Sequence, residues 1–94
     1  MAVFFIMEYF VYIIYSPKHD KYYKGFTTNP KARLQRHNEG FSRYTSNFRP
    51  WKLVYLEKCI DKKSALIRER KLKKFGKIQI QKLINSPKNI LNIS

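Results

Sequence analysis

The chain has 94 residues, 44% of them hydrophobic and 16% aromatic, which is enough for one compact core, too little for two, and too apolar for a largely disordered chain. Twenty Lys and Arg against six Asp and Glu leave a formal charge of +14, and that self-repulsion must be offset by burial or by a polyanion, with nucleic acid the first candidate. Cys59 is the only cysteine, so an intramolecular disulfide is excluded and a reducing cytoplasm fits; with His19 and His37 it matches no zinc finger or ribbon spacing. Lysine accumulation on exposed faces and an anionic membrane surface are the competing accounts of the charge. No feature calls for haem or a nucleotide cofactor.

The apolar start, Ala2 to Tyr15, is interrupted by Glu8 and has no basic region before it, so it reads as strand rather than as a leader or membrane segment. Residues 1–8 are expected to be an extension or a lead-in to that strand, with Met7 an alternative start. Tyr9 to Ser16 is aromatic and β-branched and stops at Pro17. The turn-forming run Pro17 to Asp20 then leads to a second strand over Tyr22 to Thr27, and a hairpin is the simplest pairing. Gly25 weakens that strand, which predicts either a bulge or a close approach by another group.

Asn29 and Pro30 form the start of a helix, because Asn accepts from an orphan N–H and Pro has none to satisfy. That helix is expected to run to Glu39 and to close at Gly40 in the left-handed region. Phe41 to Pro50 reads as an exposed basic loop carrying Arg43 and Arg49, and Trp51 to Cys59 as a third strand with Cys59 a buried core thiol. Asp61 to Phe75 has a cap and helical apolar spacing, Gly76 is expected to break it, and a short helix from Lys77 leads to an irregular tail from Asn85. The order β-β-α-β-α-α gives an α+β fold in which a small three-stranded antiparallel sheet is flanked by helices. The domain is taken as residues 9–85 and the tail as 86–94.

Two helices carry polar residues on their inward faces. Arg33 and His37 share a face with Leu34, Pro30 and Phe41; packed stems with solvated tips are the ordinary explanation. Glu69 lies in the stripe of Ala65, Leu66 and Leu72 and is the sole acid among eight Lys and Arg between Lys62 and Lys77, for which an ion pair with Lys73 is the ordinary explanation. A carboxylate, an arginine, a histidine and tyrosines converging on one sheet face would suit a divalent metal and a phosphate. Tyr12, Tyr22 and Tyr23 equally suit strand packing.

The segments Phe10-Val11-Tyr12 and Tyr23-Lys24-Gly25, followed by Thr27 and by Asn29 to Asn38, resemble the GIY-YIG nuclease superfamily, in particular its short standalone members similar to the catalytic domain of nucleotide excision repair nucleases. Arg49 to Tyr55 and Ser64 to Glu69 extend the likeness in order and spacing, so that it spans about residues 9–85. The resemblance implies an endonuclease hydrolysing phosphodiester bonds, DNA first, with DNA repair, restriction and mobile-element roles all compatible. It further implies Tyr12 and Tyr23 as the paired tyrosines, Arg33 as the phosphate-binding arginine, His37 near the nucleophile, and Glu69 holding Mg²⁺, with Mn²⁺ as a substitute. A tyrosine would accept or relay the proton of the attacking water, and since a free phenol has a pKa of about 10, nearby cations would have to favour phenolate. Phe10 stands where the family name has Gly, and Lys24 where it has Ile.

Lys24, Arg43, Arg49, Lys52, Arg70, Lys73 and Lys74 are the candidates for neutralising backbone phosphates, and Tyr44 or Phe48 for stacking on an unpaired base. Phosphate contacts carry no sequence information. A noncatalytic nucleic-acid-binding relative of the same fold is the alternative to the enzyme; a membrane-surface protein is a more distant one.

Overall fold

The computed structural model describes residues 7–92. Residues 1–6 of the expected extension and residues 93 and 94 of the tail lie outside them. Strands β1 (Tyr9–Ser16), β2 (Lys21–Thr27) and β3 (Lys52–Cys59) form one antiparallel sheet in the order β2-β1-β3. Helix α1 (Pro30–Glu39) and the single turn α2 (Arg43–Ser46) lie between β2 and β3, whereas α3 (Lys62–Leu72), α4 (Lys77–Ile84) and a 3₁₀ turn at Ile90–Asn92 follow β3. The expected α+β architecture and element order are both present.

Strand alternation sorts β1 into two faces. Val11 and Ile13, both fully buried, join Tyr55, Ala65, Leu72, Ile80 and Leu83 in one core beneath α3 and α4. Tyr12 and Ile14 join Trp51 and Leu56 in a second core on the other face, where Leu34 of α1 packs against them. The central strand is thus buried on both sides, which explains why it reads as a continuous apolar run.

The helix ends follow their sequence signals. Asn29 Oδ1 accepts from Ala32 N at 3.1 Å, Pro30 takes the first turn, and Gly40 closes α1 at φ 86°. That left-handed turn takes Phe41 off the helix, so Phe41 is 68% exposed instead of sharing the face of Leu34. Asp61 caps α3 by accepting from Ser64 N at 2.7 Å. Helix α3 ends at Leu72, earlier than expected: Lys74 N and Phe75 N bond back three residues, to Lys71 and Leu72, tightening the last turn and turning Phe75 against the core. Gly76 therefore does not break α3; its N–H donates to Gln79 Oε1 at 2.9 Å at the start of α4.

Further departures from expectation have local causes. The loop 41–50 contains the turn α2, whose carbonyl at Thr45 is fixed by Trp51 Nε1 at 2.8 Å. Leu66 is exposed, because the inward face of α3 runs through Ala65 and Leu72, with Arg68 and Glu69 beside them one turn away. Arg68 makes a two-pronged contact with Glu57, to which the buried Tyr55 hydroxyl also donates. Cys59 is half-buried rather than buried, and burial still pushes its thiol up, away from reactivity.

The stretch after α4 is docked, not loose. Between Ile13 and Ile14 the pairing partner jumps from Tyr55 to Leu53, so Val54 bulges out of the ladder. Asn89, 1% exposed, donates from Nδ2 to the carbonyls of Val54 and Ile84 at 2.9 Å each and accepts from Leu56 N at 3.2 Å. Its amide thus occupies the outer edge of β3, and Ile90 beside it packs into the second core.

Candidate functional site

Tyr12 enters the second face from the centre of the sheet, directly opposite Gly25 of β2. A Cβ at Gly25 would sit 2.5 Å from the Tyr12 hydroxyl oxygen and 2.6 Å from the ring carbon that bears it. Gly25 is therefore the close-approach position, with no bulge at that point of the hairpin. The approaching group is the phenol itself.

The Tyr12 hydroxyl lies 2.8 Å from His37 Nε2, and His37 Nδ1 lies 2.9 Å from Thr45 Oγ1. Thr45 is fully buried and donates its own hydroxyl to the carbonyl of Ser42 at 3.5 Å. A Thr45 proton directed at Ser42 O assigns Nδ1–H as the donor to Thr45 and Nε2 as the acceptor of the Tyr12 proton. A directed chain results, from Tyr12 through His37 and Thr45 to the backbone of Ser42. Asn38 locks the frame around it, donating to the carbonyl of Trp51 at 3.1 Å and accepting from Trp51 N at 2.7 Å.

Electrostatics agree with that direction. Burial, with the Arg33 guanidinium adding to it, holds His37 below its ordinary value, so the ring is neutral at pH 7. The Tyr12 phenol is pushed up to about 12 by burial first and then by Tyr23, with Glu69 adding a little and Arg33 opposing. Tyr12 is consequently a hydrogen-bond donor at neutral pH rather than a ready phenolate.

Tyr23, two residues before Gly25 on the same face, packs its ring 5.1 Å from that of His37. With Arg33, Arg36, His37, Phe41 and Ser42 it lines an open cleft of about 280 Å³. Arg33 and Arg36 supply its positive wall. Glu69 comes from α3: its side chain is 15% exposed and bonds Lys73 Nζ at 2.7 Å, and that ammonium is raised by Glu69 and also by Tyr23. The ion pair expected for Glu69 is therefore present, and the carboxylate that makes it is largely covered. It does not line the cleft, although its charge is felt at Tyr12.

The remaining candidate cations are dispersed. Lys24 alternates to the face opposite Tyr23, where Nζ approaches the carbonyl of Phe75 at 3.5 Å and burial lowers its pKa. Arg49 turns back on its own loop, donating to Ser46 O at 2.8 Å. Arg43, Lys52, Arg70 and Lys74 are exposed and stand apart from the cleft lining. Thr45, Asn38 and Asn89 were not singled out in the sequence. Asn85, expected to begin the irregular tail, is the exposed end of α4, and the buried asparagine beyond it is Asn89.

A carboxylate outside any cluster of three ligating side chains among the described residues suits a hard cation that keeps most of its waters, such as Mg²⁺, and does not suit zinc. Among the described residues no group of three or more His, Cys, Asp or Glu comes together. No described helix is long and apolar enough to cross a membrane.

Comparison with known proteins gives a consistent result. The family described as GIY-YIG catalytic domain matches residues 8–80. A UPF0213 protein of Staphylococcus haemolyticus is 40% identical over 78 residues, covering 82% of this chain and 94% of the relative. One from Clostridium perfringens is 38% identical over 78 residues, covering 82% and 83%. The solution NMR structure of a UPF0213 protein from Bacillus halodurans aligns with a TM-score of 0.55 at 26% identity, covering 90% of each chain.

Proposed function

Because this chain belongs to the family of GIY-YIG catalytic domains, we propose that it is a metal-dependent endonuclease that hydrolyses phosphodiester bonds, DNA first. The observation that carries the reading is the directed Tyr12–His37–Thr45 chain behind a cleft whose wall is Arg33, Arg36 and Tyr23. A packing role alone would not require a buried histidine with both nitrogens engaged and a cationic opening beside it.

Arg33 and Arg36 would bind the scissile phosphate and, as charge builds on its oxygens, Arg33 would stabilise it. Tyr23 faces the cleft and is the better placed of the two tyrosines to meet the attacking water. Tyr12, held as donor to His37, would keep its own proton and fix the His37 ring against which Tyr23 packs. Glu69 would hold the cation, which when bound supplies positive charge against the phosphate. Lys73 would have to release the carboxylate or share it.

That ion pair favours the second reading, a noncatalytic relative that binds nucleic acid through its +14 charge. The deciding measurement is cleavage of branched, duplex and single-stranded DNA and of RNA with Mg²⁺, Mn²⁺ or EDTA, with Glu69→Gln purified in parallel. Metal-dependent cutting that disappears in the variant is expected. Salt-sensitive binding with no cutting would leave the noncatalytic reading.

A further inference from the structure

The segment 41–48 presents one aromatic ring to solvent in the cleft and another beside Tyr23 at its margin. Phe41, 68% exposed, lines the cleft and carries the Arg36 guanidinium 5.0 Å above its ring. Tyr44, 53% exposed, packs 5.3 Å from Phe48 and 6.2 Å from Tyr23. Phe48 in turn has the edge of His19 at 5.2 Å and Lys21 Nζ over its face at 5.2 Å. From Tyr44 a groove of about 480 Å³ rounds the free edge of β2, past Tyr22, Lys24 and the Asp20–Lys77 ion pair, to Phe75 on the opposite face.

Phe48 packs against the second core over Trp51, but Phe41 and Tyr44 stand outside that core, and core packing does not account for their exposed rings. Flat rings interleaved with cations match one chemical object well: a base whose face is free, with its phosphate alongside. A duplex offers phosphates and base edges but hides the base faces within its stack. Lysines alone would suffice to hold a duplex backbone.

We infer that the 41–48 segment is a single-strand reader: unpaired bases on either side of the phosphate in the cleft stack on Phe41 and on Tyr44, and the strand continues along the β2 groove. The scissile phosphate in that statement rests on the nuclease reading; the stacking does not. DNA and RNA single strands share the chemistry, so both are probed.

The test is fluorescence anisotropy in EDTA with labelled oligonucleotides of about twelve nucleotides, single-stranded DNA, single-stranded RNA and the matching DNA duplex, across a range of salt. Native protein should hold a single strand at salt concentrations that release the duplex. Tyr44→Ala and Phe41→Ala should each weaken single-strand binding roughly tenfold and leave duplex binding and the salt slope unchanged, while Tyr44→Phe restores it. If Tyr44→Ala fails to fold by circular dichroism, Tyr44→Leu, which keeps an apolar cover on Phe48, replaces it. Equal affinity for duplex and single strand, or equal losses on both, would overturn the inference. Cleavage without single-strand preference would remove the reader and keep the nuclease; Tyr44-dependent single-strand binding without cleavage would do the reverse.

Discussion

The two faces of one small sheet are built to different rules. Under α3 and α4, Val11, Ile13 and Tyr55 meet Ala65, Leu72 and Ile80 in an apolar core, with Glu57 and Arg68 as a polar pair at its margin that takes the Tyr55 hydroxyl. One residue along the same strand, on the other face, Tyr12 meets a buried histidine and a buried threonine in a hydrogen-bonded line. The first arrangement tolerates any apolar side chains of the right volume; the second works only with particular donors and acceptors in a particular order. Stability and chemistry are thereby divided between odd and even positions of β1.

The division can be broken experimentally. On the chemical side the largest effects are expected from Glu69→Gln, which should abolish metal-dependent cleavage, and from Arg33→Ala, which should lower turnover roughly 10²–10³-fold. Both should leave the melting temperature nearly unchanged, and a large fall would mean that these residues hold the fold. On the apolar side, Ile13→Ala should destabilise by about 2–5 kcal/mol in urea titration without altering the pH profile of the activity that remains.

Thr45→Val sits between the two. It keeps the shape but removes the acceptor for His37 Nδ1–H, so a loss of about 1–3 kcal/mol is expected together with a roughly tenfold slower rate. Nitrogen NMR of His37 should show the Nδ1–H tautomer in the native protein and a mixture in the variant; an unchanged tautomer would separate Thr45 from the line. Thr45→Ser should restore most of the rate.

The smallest effect is a pH dependence. An unfolded histidine takes up its proton near pH ~6.5, whereas folded His37 does so only at lower pH, so between those values the unfolded chain binds more protons. Stability should therefore fall as pH drops below ~6.5, the loss being complete once the folded value is passed, and His37→Gln should flatten that limb. The acid limb of cleavage should lie below the same pH.

Much of this was legible in the chain. Strand β1 announced itself because burial on both faces forces a continuous apolar run, and α1 because Asn29, Pro30 and Gly40 each have a local mechanism. The polar residues on helical faces marked Arg33, His37 and Glu69. What could not be read was anything set by loop geometry: α2 is a single turn stabilised by Trp51, six residues beyond Thr45, and threonine in a basic polar loop carries no periodic signal. Asn89 was hidden in the same way, since a lone asparagine in a Ser- and Pro-containing stretch reads as turn chemistry until its partners 33 and 35 residues away are known. Lys24 was drawn towards the site by adjacency in sequence, which strand alternation reverses.

Asn89 also bears on how the protein fails. By capping Val54 and Leu56 it gives β3 the hydrogen bonds that a neighbouring strand would otherwise supply. Proteolysis or a premature stop between Ile84 and Asn89 would leave the Tyr12–His37–Thr45 line and the cleft arginines in the chain while opening a strand to intermolecular pairing. Such a shortened molecule would be lost first through precipitation, and its activity would decline with storage and concentration rather than with any change in its chemistry.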